Sequence, residues 1–204
     1  LLQDIEVVTV EQQELLSNPD SIVSFEAIKS ANMLSDLADS FTGAHTLDIN
    51  RFRAYFWEMN SFCNWNLHMS TPEPGKFYSG LEYISYTRAS GFAFYELAQE
   101  MKSEGFLGGW LSGNKAWGKK GVACSWMRDL PASIYTGCVY DNMVAVIVPK
   151  NESDLAAIWA YCSSSDFNTD VRKINQKIQV ANSTLVKVPF DLAHWQQVAA
   201  ERYQ

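Results

Sequence analysis

Apolar and polar positions alternate through Trp65, Leu67 and Met69 and again through Leu81, Tyr83 and Ser85. The turn-forming Thr71-Pro72-Glu73-Pro74-Gly75 lies between them, so the pattern predicts two neighbouring antiparallel strands. Val122, Cys124 and Trp126 alternate in the same way, Ile134 to Val139 is rich in β-formers, and Val144 to Val148 is a near-continuous apolar run that fits a buried strand. Helical spacing is clearest near the end of the chain. Asn151 introduces a stripe of Leu155, Ile158, Trp159 and Cys162, Phe167 to Ile174 predicts a second helix, and Asp191 caps a third that carries Leu192, Trp195, Val198 and Ala199. A short strand is expected at Val186 to Val188.

The first half is less regular. Thr9 followed by Gln12 reads as a capping box that opens a helix through about Leu16, ended by Asn18-Pro19-Asp20. Ile22 to Phe25 is a short strand candidate, and Leu34, Leu37, Ala38 and Phe41 form a brief helical or strand-entry pattern up to Gly43. The dense aromatic run of Phe52, Tyr55, Phe56 and Trp57 is expected in the core. Phe94, Leu97, Ala98 and Met101 share a helical face that Ser90 caps and Gly105 ends. Gly105, Gly108, Gly109, Gly113, Gly118 and Gly121 then make a loop expected to bend easily and to let its backbone approach a ligand. The sum is a mixed α+β class, with a largely antiparallel or mixed sheet flanked by several helices.

Charge changes the picture. The net charge of -7 argues against a nucleic-acid partner, yet the acids are concentrated in the first 50 residues, where nine of them face Lys29 alone. Two segments are basic and free of acids: 113–128, with Lys115, Lys119, Lys120 and Arg128, and 171–187, with Arg172, Lys173, Lys177 and Lys187. Cys63, Cys124, Cys138 and Cys162 are far apart and form no Cys-x-x-Cys pair; with His45, His68 and His194 as the only histidines, four reduced structural thiols are expected. The chain opens on Leu1-Leu2-Gln3-Asp4, with neither a signal peptide nor an apolar span long enough for a bilayer, so a cytoplasmic protein without membrane contact is expected. The opening lacks methionine and lies within an apolar run, which reads as a fragment of a longer protein.

Catalytic patterns are sparse. Adenine methylation needs an Asn/Asp-Pro-Pro-aromatic motif and a Gly-rich turn for the methyl donor, and Asn18-Pro19-Asp20 is neither. Pro19-Asp20 and Glu100-Met101-Lys102 carry the letters of a nuclease site but are widely separated. No Gly-x-Ser-x-Gly elbow exists, and residues 113–120 lack the Gly-Lys-Ser/Thr ending of a phosphate loop. That stretch still holds suitable chemistry for a duplex. Its lysines neutralise phosphates, Asn114 both donates and accepts at a base edge, and Trp117 stacks or wedges.

Several stretches carry a resemblance. They are Leu34 through Trp57, with Asp48, Arg51-Phe52 and Phe56-Trp57-Glu58; Ala116-Trp117-Gly118-Lys119-Lys120-Gly121-Val122; Leu130-Pro131 through Tyr135, Gly137 and Asp141-Asn142; Ala157-Ile158-Trp159 with Ser164 to Val171; and Val180 through Asp191. In this order they resemble the C-terminal target recognition region of adenine-specific DNA methyltransferases of the large type IIG, type IIS-like restriction-modification and phage-defence kind. The resemblance spans most of the chain beyond residue 30 and departs in the acidic opening and in 59–112.

It implies residues 1–33 as a connector from an N-terminal methyltransferase domain and 34–204 as the recognition domain. It also implies double-stranded DNA and that methyltransferase domain as partners. The fragment itself would hold no cofactor and no metal; S-adenosylmethionine would belong to the parent enzyme, which would flip and methylate adenine and which in some relatives also cleaves DNA. The expected DNA contacts are Lys115, Trp117, Lys119 and Lys120, with Arg51, Arg53, Arg128, Lys173 and Lys177 as phosphate clamps and Asn114 or Asn142 as base readers. The alternative is a module for a carbohydrate or another protein, for which the seven tryptophans and nine tyrosines are the cue.

Overall fold

The computed structural model describes residues 9–16, 18, 21, 23, 32–45, 50, 53–61, 63–88, 91–92, 99–105 and 112–203, with side chains of 86–88 and 91–92 excepted. Arg51, Phe52, most of the Ile22 to Phe25 strand candidate, and Phe94, Leu97 and Ala98 lie outside them. The strands are β1 (Ala38–Thr42), β2 (Arg53–Tyr55), β3 (Trp65–Met69), β4 (Tyr83–Arg88), β5 (Gly91–Phe92), β6 (Gly121–Ser125), β7 (Ala132–Tyr135), β8 (Val139–Tyr140) and β9 (Val144–Pro149). The helices are α1 (Gln12–Leu15), α2 (Leu34–Leu37), α3 (Leu155–Cys162), α4 (Ser165–Ile174) and α5 (Leu192–Arg202).

The run from Val144 onward becomes β9, a central strand of the antiparallel sheet β1-β9-β6-β7, and all six of its residues are buried. A strand covered on both faces has no solvent side to fill with polar residues, which is why its sequence does not alternate. One face, with Val122, Cys124, Ala132, Ala145 and Ile147, packs on the apolar stripes of α3, α4 and α5. The other, with Ala123, Tyr135, Val144, Val146 and Val148, packs on Met69, Tyr140 and Ala116. Asp191 caps α5 by accepting from the His194 amide at 3.1 Å, and Asn151 accepts from Ser153 at 3.2 Å ahead of the short 3-10 turn leading into α3.

The second sheet has the order β2-β4-β3-β8, with β5 also paired to β4 and with β8 parallel to β3. The predicted antiparallel pair is β3 with β4. Tyr55, Tyr83 and His68 lie opposite one another across β2, β4 and β3 and so share a face. His68 is buried there, its Nδ1 bonded to the Ser85 hydroxyl and its Nε2 without a partner. Burial, aided by Arg53, lowers its pKa to about 3, so the ring is neutral in the folded protein at ordinary pH.

Four expectations are corrected. Glu11, not Thr9, precedes α1, and no side chain caps that helix. Val186 to Val188 is no strand, because Asn182–Val186 form a 3-10 turn that packs over β1. Cys63 is exposed, unlike the buried Cys124 and Cys162. Tyr55, Phe56 and Trp57 are not core; they are 37%, 43% and 60% exposed. β2 lies at the sheet's edge, and its short 3-10 extension Phe56–Glu58 turns those rings outward, where Tyr55 stacks on both Trp57 and Tyr83 at 4.5 and 4.6 Å.

Ile147 is fully buried in the central strand, so Ile147→Ala should cost about 2–5 kcal/mol of unfolding free energy, read from urea denaturation. The unfolded chain takes up a proton at His68 below its ordinary value of 6.5, whereas the folded ring resists until about pH 3. That contribution is complete above pH 6.5 and falls by about 1.4 kcal/mol per pH unit as pH drops through the window between. Stability profiles of the chain and of His68→Gln should therefore converge in slope above pH 7 and differ by about that amount per unit between pH 6 and 4.

Candidate nucleic-acid interface

Of the glycine loop expected to be pliable between Gly105 and Gly121, residues 106–111 lie outside the described residues, and the chain pins 112–120. Gly113 has φ of 81°, and a Cβ there would sit 2.5 Å from the Tyr140 hydroxyl and 2.8 Å from the Thr42 carbonyl. Gly118 donates its amide to Gly137 O at 2.8 Å, and a Cβ on Gly137 would lie 2.9 Å from Gly118 Cα. Between these points a 3-10 turn (Asn114–Ala116) buries Ala116 completely. Trp117 is half-buried and packs against the core cluster on the second-sheet side, so its indole serves as an anchor. Gly113 and Gly121 provide close approach to other parts of the protein, Gly121 to the Ile147 carbonyl.

This anchoring presents Asn114, Lys115, Lys119 and Lys120 to solvent. Lys115 and Lys119 line a groove of about 520 Å³ along the edge strand β1, with Ser35, Asp39, Ser40 and Phe41. Lys120 reaches Glu152 at 3.7 Å, a loose pair with both side chains largely exposed, which contributes little.

Of the remaining expected contacts, Arg51 lies outside the described residues and the others do not join this groove. Lys119 and Lys120 precede β6 and Arg128 follows it, so a five-residue strand, roughly 17 Å long, separates them. Arg128 has φ of 55°, and its carbonyl accepts from the Arg172 guanidinium, which also donates to the Lys177 carbonyl. Arg172 thereby holds the backbone at Arg128 and at Lys177, so that three basic residues are neighbours at the other end of β6. Lys173 is held by Asp170 at 3.0 Å. Asn142 is half-buried in the turn before β9.

Arg53 has a different task. Its guanidinium lies 3.8 Å over the Tyr83 ring and 3.5 Å from Asp141, whose carboxylate also accepts from Ser70 Oγ at 2.7 Å and from the Met143 amide at 2.9 Å. Burial raises the Asp141 pKa against the opposing pull of these partners. A largely covered guanidinium, 16% exposed and engaged by Asp141 and Tyr83, ties sheet two to the turn before β9 and is poorly placed to hold a phosphate.

Among the described residues no group of three or more His, Cys, Asp or Glu could hold a metal ion, and no helix is long and apolar enough to cross a membrane. The feature that sequence reasoning missed is the outward aromatic face of Tyr55, Phe56 and Trp57. Their position beside the short β2 was the available signal, since an edge strand covers little.

No family model matches the chain, and no curated protein matches it. Among solved structures it is similar to the crystal structure of the HsdS subunit from Thermoanaerobacter tengcongensis, at 10% sequence identity and a TM-score of 0.44. The likeness covers 93% of this chain and 40% of that one, so the chain spans well under half the length of that subunit.

Proposed function

We propose that the chain is a sequence-reading module for double-stranded DNA, and that the pinned lysine turn over β1 is where it meets the duplex. The observation that carries this reading is the rigid presentation of Lys115 and Lys119 beside one groove, with Asn114 exposed on the same turn. A preorganised cation loses less entropy on meeting a phosphate than one on a mobile loop, and an exposed amide beside it can pair with a base edge. Lys120 adds charge at the end of the turn. The group of Arg128, Arg172 and Lys177 lies roughly 17 Å away, on the scale of the major groove of about 12 Å and its flanking strands, and would take a second set of phosphates.

The resemblance of the sequence motifs extends the reading to the parent protein. There this module would position duplex DNA for an N-terminal methyltransferase domain that flips an adenine and methylates it from S-adenosylmethionine, in a type IIG or type IIS-like restriction-modification system.

The exposed Tyr55, Phe56 and Trp57 favour a second reading, a carbohydrate or protein ligand on that face. Trp57→Ala separates the two, because duplex affinity should survive it if the aromatic face serves a different ligand.

Lys115→Ala combined with Lys119→Ala should weaken binding to duplexes of any sequence and shallow the slope of log K against log salt by about two. Fluorescence anisotropy at several salt concentrations reads both quantities. An unchanged slope would remove the turn from the interface.

A further inference from the structure

A cleft of about 770 Å³ opens at the edge of the first sheet opposite β1, between the 74–77 turn, the 129–132 approach to β7 and the ends of α3, α4 and α5. Its size suits a small organic ligand. Three aromatic side chains line it. Phe77 lies 5.8 Å from Trp159 and 6.2 Å from Tyr203, ring centre to ring centre, yet Phe77 and Tyr203 remain 56% and 40% exposed. Trp159 is only 7% exposed, and its Nε1 finds no hydrogen-bond partner. The buried Trp159 ring thus forms the floor against which Phe77 is fixed.

The other wall is polar. α4 is ten residues long and begins in the cleft, and its N-cap Ser164 does not cap it; the Ser164 hydroxyl donates backward to Tyr161 O at 2.7 Å. Its first-turn amides therefore lack a side-chain acceptor, where the helix dipole favours an anion. Arg202 lines the same cleft and has no ion pair among the described residues, and neither does the half-buried Asn168 amide have a hydrogen-bond partner among them. The opposing charges are Asp129 in the lining and Asp166 in the first turn of α4, while Lys76 is already held by Glu73 at 2.5 Å.

We propose that this cleft binds a nucleotide, its base stacking on the exposed faces of Phe77 and Tyr203 and its phosphate held by Arg202 and the start of α4. Asn168 supplies a donor and an acceptor for the base or sugar. The nucleotide is either free or an unpaired unit of a strand, and the recognition chemistry is the same for both. The proposal does not depend on the duplex reading, because β9 and β6 separate the cleft from the lysine groove.

Titration of the chain with AMP, GMP, CMP and TMP, and with the matching nucleosides, tests it by calorimetry and tryptophan fluorescence. Saturable binding of at least one monophosphate is expected, at least about tenfold tighter than its nucleoside, since the charged contacts are lost with the phosphate. Phe77→Ala and Arg202→Gln should each weaken that binding about tenfold, and Lys115→Ala with Lys119→Ala should leave it unchanged. Arg202 is exposed at a helix end, so Arg202→Gln keeps the test interpretable should Phe77→Ala disturb the fold. Displacement of the mononucleotide by a short single-stranded oligonucleotide would identify a strand as the source, and its failure a free nucleotide. Absence of saturation with all four monophosphates, equal affinity for nucleoside and monophosphate, or indifference to Arg202→Gln would overturn the proposal.

Discussion

Burial of both faces of the central strands β9 and β6 is the constraint from which the rest of the structure follows. Because Val122, Cys124, Ala145 and Ile147 point one way and Ala123, Val144, Val146 and Val148 the other, two separate apolar surfaces need cover. The C-terminal helices cover the first. The second is closed by Met69, Tyr140, Ala116 and the partly buried Trp117, drawn from the second sheet and from the glycine turn. A turn recruited to cover a core cannot remain pliable, and this accounts for the tight approach of Gly113 to Tyr140 and of Gly137 to Gly118.

The same arrangement decides where charge collects. With both sheet faces covered, solvent reaches the sheet at its edges and ends, and the basic residues are distributed accordingly. Lys115 and Lys119 lie along the β1 edge, Arg128 with Arg172 and Lys177 at the far end of β6, and the mixed aromatic and polar cleft beside β7. Arg53 belongs to none of these groups, since Asp141 and Tyr83 engage it in the seam between the sheets. A protein that is anionic overall thus presents basic residues in local groups, with Asp39 beside Lys115 and Lys119 and Asp129 in the cleft of Arg202.

Buried polar groups hold the second sheet together and tie it to the turn before β9. His68 bonds to Ser85 within that sheet, and Asp141 collects Ser70, the Met143 amide and Arg53. Each of these groups lost water on folding, and each bond offsets part of that loss. The unpaired Nε2 of His68 is tolerable because the neutral ring costs far less to bury than a charged one.

Local pattern alone determined several of the regular elements of this protein. The continuous apolar run of β9, the stripes of α3 and α5, the cap at Asp191 and the β3–β4 pair follow from side-chain periodicity and short-range hydrogen bonding, which depend on neighbours in sequence. Only the tertiary structure decided which surfaces remain open. Tyr55, Phe56 and Trp57 have the composition of a core and lie outside because β2 is an edge strand. Lys119 and Arg128, nine residues apart in sequence, are divided because a full strand runs between them, and the cleft of Phe77, Trp159, Tyr203 and Arg202 draws on segments more than a hundred residues apart. Exposure and proximity of this kind depend on which elements pack together, and no periodicity along the chain encodes that choice.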